Sequence, residues 1–144
     1  MRHLKRNGYN NSSLVTVYTS MIRPLAEYCS SVFHALITSS DSYEIERLQM
    51  QALKTIFGWR HSYQQLLAKS GLERLSVRRE AAFNLLAKQM SESAKYAALF
   101  PLNPDRRGGS RNREKYKIYP ATTSRFLNSP LNSMRRYLNA VHSS

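Results

Sequence analysis

The sequence predicts an all-α protein: a small bundle of three main helices plus a short one, then an irregular basic arm and a terminal helix. Three observations predict this fold. Apolar residues recur at three- and four-residue steps over long stretches between Leu14 and Met90. Residues that cap helices stand at the ends of these stretches. No stretch shows the sustained period-two alternation that is typical of a strand.

The first predicted helix follows the capping side chains of residues 10–13 and contains a proline within its apolar pattern. Its apolar residues are Leu14, Tyr18, Met21, Ile22, Leu25, Cys29, Val32, Phe33 and Leu36. A proline inside a helix costs about 3 kcal/mol, because it removes a backbone donor and clashes with the preceding turn. Pro24 therefore either kinks one long helix, so that it packs two faces against different neighbours, or begins a second helix after a break.

The second predicted helix opens at Asp41 and ends at Gly58. Glu44 stands three residues after Asp41, which is capping-box spacing, and glycine commonly follows the last residue of a helix. The apolar stripe of this helix consists of Ile45, Leu48, Ala52, Leu53, Ile56 and Phe57. Such a stripe predicts one buried face.

The third predicted helix is short and forms a crosspiece to the bundle. Ser62 and Gln65 again have capping-box spacing, and Gly71 ends the helix. Leu72 is placed to fold back on Leu67, a contact that often accompanies a glycine at a helix end.

The fourth predicted helix completes the bundle, and the composition changes after it. It runs from about Ser76 to Tyr96 and is expected to bury Ala82, Phe83, Leu85, Leu86 and Met90. Prolines, a glycine pair and many cations follow, which is typical of a linker. A helix then restarts with Ser129 as its cap and Pro130 at its first position, where a missing donor is harmless. The predicted organisation is a helical bundle over 1–100, a basic linker over 101–124 and a helical segment over 125–144.

The net charge is the strongest bulk signal. The chain has 144 residues and carries +13 at pH 7, with an isoelectric point near 10.3. Such an excess favours a polyanionic partner, most often nucleic acid and less often a membrane surface. No apolar run approaches the 20 or so residues that span a bilayer, so no membrane partner is expected. The single cysteine, Cys29, fits an intracellular protein, in the nucleus or the cytoplasm.

Motifs for catalysis are missing from the sequence. The four histidines share no metal-ligand spacing with one another or with carboxylates. Gly108 and Gly109 lack the strand and the lysine–serine end of a phosphate-binding loop. No pair of adjacent aspartates could hold magnesium for phosphoryl transfer. We therefore expect no enzyme activity from this chain on its own, no catalytic residue, no cofactor and no metal.

The linker carries the main candidate site. Its cations are Arg106, Arg107, Arg111, Arg113, Lys115 and Lys117, and Tyr116 and Tyr119 are interleaved with them. Arginine and lysine neutralise phosphates, and tyrosine stacks on unpaired bases. This pattern predicts contact with nucleic acid. The alternative is a solvated loop whose charge serves only solubility.

Arg78 and Arg79 form a second candidate site. They stand in the first turn of the fourth predicted helix, where each cation opposes the helix dipole at a cost of about 0.3–1 kcal/mol. Either an internal salt bridge or a bound phosphate must offset this cost. The candidate carboxylates for a salt bridge are those of Glu46, Glu73 and Glu80.

Four blocks of sequence resemble a known family when they are taken together. They read YTSMIRPLAEYCSSVFH from residue 18, IERLQMQALKTIFG from 45, GLERLSVRRE from 71 and TSRFLNSPLNSMRRYLN from 123. In this order they resemble the region after the polymerase domain in reverse transcriptases of non-LTR retrotransposons, especially LINE-type elements of the Jockey-like and related animal groups. The matching residues are Tyr18, Ile22, Arg23, Pro24, Glu27, Tyr28, His34, Glu46, Arg47, Gln49, Ala52, Leu53, Leu75, Arg78, Arg79, Arg125, Ser129, Pro130 and Asn139.

The resemblance covers nearly the whole chain and has two departures. Phe33 stands where the family usually has tryptophan, and this replacement keeps an aromatic side chain at the position. The fingers, the palm with its paired metal-binding aspartates and the upstream endonuclease have no counterpart. The resemblance therefore implies a non-catalytic C-terminal fragment of an RNA-directed DNA polymerase, in which the bundle over 1–100 is thumb-like. Its implied partners are template RNA or an RNA–DNA duplex, with an upstream polymerase domain as a further candidate.

A second class of function fits the same sequence. The chain could be a free-standing basic helical adaptor whose apolar grooves bind a protein partner, with the charge serving only solubility. Binding to nucleic acid would then depend little on salt concentration, because few counterions would be released.

Overall fold

The computed structural model describes residues 1–104, 114–120 and 122–143, and its regular elements in these ranges are helical. Helices α1 to α9 span Arg2–Arg6, Asn11–Val17, Arg23–Glu27, Ser30–Phe33, Ser39–Phe57, Tyr63–Ser70, Leu75–Glu92, Ser124–Leu127 and Pro130–Ser143. A π-helical segment covers Tyr18–Ile22 and a 3-10 segment covers Ala94–Leu99. In the part of the chain described, extended pairing is limited to one bridge, between Leu102 and Tyr116. The all-α prediction is confirmed.

Two compact units make up the chain. The first unit consists of Met1–Ser30 and Ile37–Arg79, and the second of Ser31–Leu36 and Glu80–Ser144. Helix α7 contributes residues to each unit, since the division falls after Arg79. Within each unit the residues contact one another closely. The domain boundaries predicted from composition, at 1–100, 101–124 and 125–144, remain a prediction.

Pro24 lies in the first turn of α3, and the chain remains helical on its amino-terminal side. Helix α2, the π-helical segment and α3 follow one another with no non-helical residue between them. The amide of Arg23 donates to the carbonyl of Tyr18, five residues earlier, which is the π-type hydrogen bond. The proline is tolerated because its missing donor falls where the hydrogen-bond pattern has already changed.

The first predicted helix ends earlier than the apolar pattern suggests. Tyr28 is extended, and Cys29 has φ +53, the left-handed region that ends helices. The prediction of one helix running to Leu36 is therefore wrong. Of its nine apolar residues only Leu14 and Tyr18 are buried, whereas Leu25 is exposed to solvent.

The predicted caps of α6 are confirmed, whereas the predicted amino-terminal cap of α5 is wrong. Thr38, not Asp41, caps this helix, and Asp41 is the third helical residue, which completes the capping box. The predicted stop at Gly58 is confirmed. For α6 the capping box of Ser62 and Gln65 and the left-handed Gly71 are confirmed. Leu72 donates its amide to the carbonyl of Leu67 at 3.2 Å, as the sequence predicts.

The core of the first unit lies between α2, the π-helical segment, α5 and α6. Its buried residues are Leu14, Tyr18, Leu53, Ile56 and Leu66. Side chains of this kind contribute about 1.5–3 kcal/mol each when they are fully buried. The core therefore provides much of the stability that holds the short helices together.

A partly buried chain of hydrogen bonds runs beside this core. Tyr18 donates to Gln49 Oε1 at 2.9 Å, and Gln49 Nε2 donates to the hydroxyl of Tyr63 at 3.0 Å. Tyr63 in turn donates to Glu46, whose two oxygens accept the amides of Leu75 and Ser76 at 3.2 and 3.1 Å. The carboxylate of Glu46 thus satisfies the first amides of α7, which have no partner inside the helix.

Stability should fall at high pH because of the buried tyrosines. Burial raises the pKa of Tyr18 to about 12 and also raises the pKa of Tyr63. Above pH 10 the unfolded chain loses these protons while the folded chain retains them. The contribution of the two tyrosines to the free energy of unfolding is therefore fully present below pH 10. The free energy of unfolding should fall by about 1.4 kcal/mol per pH unit for each tyrosine as pH rises toward 12. Urea unfolding across this range measures the slope.

A variant of Tyr18 assigns the pH effect to burial. Tyr18→Phe removes the buried hydroxyl and should reduce the slope by about one proton. Equal slopes in the wild type and in Tyr18→Phe would contradict the assignment.

The core of the second unit lies between α7, α9 and the segments that precede α8. Its buried residues are Phe83, Ala87, Phe100, Tyr116, Met134 and Leu138. Phe83 is buried as predicted, but Ala82 and Leu85 are exposed, so that part of the prediction is wrong. Helix α9 begins at Pro130, as predicted, and the amide of Ser133 donates to the carbonyl of Ser129 at 3.0 Å.

Candidate nucleic-acid interface

Part of the predicted linker forms a short paired segment of the second unit. The amide of Asn103 donates to the carbonyl of Lys115, and the amide of Lys117 donates to the carbonyl of Pro101, each at 2.9 Å. These bonds hold residues 101–103 and residues 115–117 side by side. The four predicted site residues Arg106, Arg107, Arg111 and Arg113 lie outside the described residues.

Asn139 of α9 fixes the backbone between Lys115 and Lys117. Its Oδ1 accepts the amide of Tyr116 at 2.8 Å, and its Nδ2 donates to the carbonyl of the same residue at 3.0 Å. Both bonds are buried, and together they reproduce the pairing that a neighbouring strand would supply. The two lysines are thereby held at defined positions on the second unit.

The side chain of Tyr116 packs in the core of the second unit and is not available at the surface. Its side chain is buried at 8% exposure, and its ring meets that of Phe100 edge-on, with 5.9 Å between the centroids. A ring in this position cannot stack on a base without leaving the core. We therefore leave Tyr116 out of the proposed interface.

Tyr119 offers the exposed ring instead. It is 40% exposed, and the Nζ of Lys117 lies 5.4 Å from its ring centroid. Arg135 lies beside the same ring, with its guanidinium carbon at 4.8 Å from the centroid. Cation–π contacts of this kind contribute about 0.5–1 kcal/mol at exposed sites. Tyr119 and Lys117 therefore form an ordered aromatic–cation pair at the surface.

Arg135 positions this pair and was missed by sequence reasoning. It is buried, and its Nε and Nη2 donate to the carbonyl of Leu99 at 3.1 and 2.7 Å. Its Nη1 donates to Asn132 Oδ1 at 3.2 Å. Burial lowers the pKa of Arg135 from its usual value, although the group stays charged. An arginine on the apolar side of the terminal amphipathic helix was the signal that could have identified it.

Arg78 has an internal partner in the first unit. Its guanidinium donates to both oxygens of Glu27, with 3.2 Å between Nη2 and Oε2. The hydrogen bond to Glu27 raises the pKa of Arg78 above its usual value. The internal salt bridge is thus confirmed for this arginine, but none of the three predicted carboxylates is its partner. Glu46, one of those three, caps α7 instead.

Arg79 lies inside the first unit at 2% exposure. Its Nη2 donates to the hydroxyl of Ser42 at 2.6 Å. A guanidinium with so little exposure cannot reach a phosphate in solution. Neither Arg78 nor Arg79 is kept in the proposed interface.

Residues 1–104, 114–120 and 122–143 lack both a cluster of metal-ligating side chains and a membrane-spanning helix. No three His, Cys, Asp or Glu side chains come close enough there to hold a metal ion. None of the helices in these ranges combines the length and the apolar character needed to cross a bilayer. No protein-family model, curated protein or solved structure matches the chain.

Proposed function

We propose that the chain is a non-catalytic helical segment that binds template RNA or an RNA–DNA duplex, like the region that follows the polymerase domain in non-LTR retrotransposon reverse transcriptases. Its basic residues neutralise phosphates, and its net charge of +13 draws the polyanion to the surface. The segment works beside an upstream polymerase domain that supplies the catalytic aspartates.

The observation that carries this proposal is the ordered segment around Lys115, Lys117 and Tyr119. Its backbone is held by Asn139, and its exposed ring is held by Arg135. Cations at fixed positions lose less conformational freedom on binding than cations on a free loop. In the sequence, Arg106, Arg107, Arg111 and Arg113 come shortly before this segment, and we propose that they also neutralise phosphates.

Fluorescence anisotropy with labelled RNA tests the proposed function. If about four to six phosphates are neutralised, the logarithm of affinity should fall against the logarithm of salt concentration with a slope of roughly −3 to −5. Binding should be micromolar or weaker and largely independent of sequence, because phosphate contacts carry no sequence information. A slope near zero would contradict the proposal.

A second candidate function has one observation in its favour. Met21, Leu25 and Tyr28 of the first unit are 67%, 79% and 77% exposed, and they lie close together in the sequence. Large apolar side chains that are exposed near one another are typical of a surface that another protein covers. A protein adaptor would use these side chains, as would a segment that packs against a polymerase domain. The salt slope separates the adaptor from the nucleic-acid-binding segment.

A further inference from the structure

A basic cleft lies in the first unit at the carboxyl end of α5. Its volume is about 430 Å³, and the residues that line it are Arg2, Lys5, Arg6, Lys54, Thr55, Gly58 and Trp59. None of these lining residues is acidic. Within the residues that the structure describes, no ion pair involves Arg2, Arg6 or Lys54. The cleft is therefore strongly cationic.

Lys5 stabilises the carboxyl end of α5 within this cleft. Its Nζ donates to the carbonyls of Thr55 and Ile56 at 2.9 and 2.5 Å. These carbonyls belong to the last turn of α5, where no amide is left to bond them and a positive charge is favourable. This contact accounts for Lys5. Within the part of the chain that the structure describes, Arg2 and Arg6 make no equivalent contact. Lys54 lies in the last turn of α5, and its Nζ faces the ring of Trp59.

Trp59 stands at the edge of the cleft and is largely in solvent. Gly58 ends α5 with φ +104, a conformation that favours glycine, and the chain leaves the helix axis there. The next residue, Trp59, is the only tryptophan of the sequence and is 63% exposed. The Nζ of Lys54 lies 5.4 Å from its ring centroid. An indole that is exposed beside unpaired cations combines the two elements that bind unpaired nucleotides.

We propose that this cleft binds an unpaired nucleotide of a single-stranded nucleic acid. The base stacks on the indole of Trp59, and the neighbouring phosphates contact Arg2, Arg6 and Lys54. A duplex cannot make this contact, because its bases are already stacked on one another. The volume of the cleft lies in the range of small-molecule sites, which suits one nucleotide. This inference rests on the proposed nucleic-acid-binding function and adds the strand state that the first unit recognises.

The intrinsic fluorescence of Trp59 gives a direct readout, since no other tryptophan contributes. The full chain, with any purification tag at its carboxyl end, is titrated with a short single-stranded RNA, with a blunt RNA duplex, with inorganic polyphosphate and with anionic lipid vesicles. The single strand should quench the emission and protect the indole from acrylamide. The duplex and polyphosphate should bind, as seen by competition in anisotropy, without quenching.

Variants of the cleft identify the contacts. Trp59→Ala should weaken binding of the single strand by about fivefold to a hundredfold, which is the contribution of one stacked base, and Trp59→Phe should restore part of it. Arg2→Gln with Arg6→Gln should shift the quenching curve to higher RNA concentration. Arg47→Gln with Lys69→Gln removes the same charge from exposed positions outside the cleft and should shift it less.

Three results would overturn the inference. RNA that binds by anisotropy without quenching Trp59 would remove the cleft as a base-binding site while leaving the proposed function intact. Equal quenching by polyphosphate would show that the ring is not stacked on a base. Quenching or a blue shift only with anionic lipid vesicles would assign the cleft to a membrane surface. Absence of binding to any RNA in anisotropy would end the proposed function itself.

Discussion

Replacing Glu46 by alanine should lower the free energy of unfolding by about 2–4 kcal/mol. The carboxylate accepts the amides of Leu75 and Ser76 and the hydroxyl of Tyr63, so its removal leaves three donors without their partner. Two of these donors lie at the amino end of α7, where a negative charge also favours the helix dipole. Glu46→Gln keeps an acceptor oxygen but loses the charge, and it should show a smaller loss. Urea unfolding followed by circular dichroism measures these differences.

Glu44 provides the matched control on the same helix. Among the residues that the structure describes, its carboxylate forms an ion pair only with Arg47, at 3.3 Å, and both side chains are about half exposed. Surface pairs of this kind contribute about 0–1 kcal/mol, so Glu44→Ala should change stability by less than Glu46→Ala. Equal losses in the two variants would show that the hydrogen bonds to Glu46 do not stabilise the first unit.

Replacing Asn139 by alanine should destabilise the second unit by about 2–4 kcal/mol, because two buried backbone groups of Tyr116 lose their partner. The segment that carries Lys115 and Lys117 should then open more often. Hydrogen exchange at the amide of Tyr116 should become faster, and affinity for RNA should fall. Both readouts follow from the same pair of bonds.

Gln89→Ala is the control for this substitution. Gln89 lies on α7, is exposed and belongs to the second unit, so its removal should change neither stability nor exchange by much. If the Tyr116 amide exchanges equally slowly in Asn139→Ala and in the wild type, Asn139 does not hold the segment.

The sequence predicted those parts of the fold that depend on neighbouring residues. The capping box of Ser62 and Gln65, the glycine ends of α5 and α6 and the start of α9 at Pro130 are all local features. The sequence placed the cap of α5 at Asp41, three residues beyond its true position. Every residue from 38 to 42 can cap a helix, so the sequence alone does not choose among them. Thr38 prevails among them because Asp41 can then bond back to it.

Features that depend on distant contacts could not be read in this way. Tyr116 stands among cations in the sequence, and this pattern predicts a ring that stacks on bases. In the structure its backbone bonds to Asn139 and its ring packs against Phe100 in the core. The partner of Arg78 is Glu27, fifty-one residues earlier, and no spacing rule connects them. The aromatic residue that the sequence did not single out, Trp59, is exposed because Gly58 turns the chain at the end of α5.

The central claim is that RNA binds through the basic segment on the second unit, and a comparison of salt slopes tests it most directly. Salt titration by anisotropy is carried out on the wild type, on Lys115→Gln with Lys117→Gln, and on the variant that also replaces the four linker arginines. A matched control, Arg47→Gln with Lys69→Gln, removes two charges from exposed positions of the first unit. The double lysine variant should flatten the slope by about two units and the sixfold variant by several, with helix content unchanged. The control should keep the wild-type slope, whereas equal flattening in the control and the lysine variant, or no flattening in either, would contradict the account.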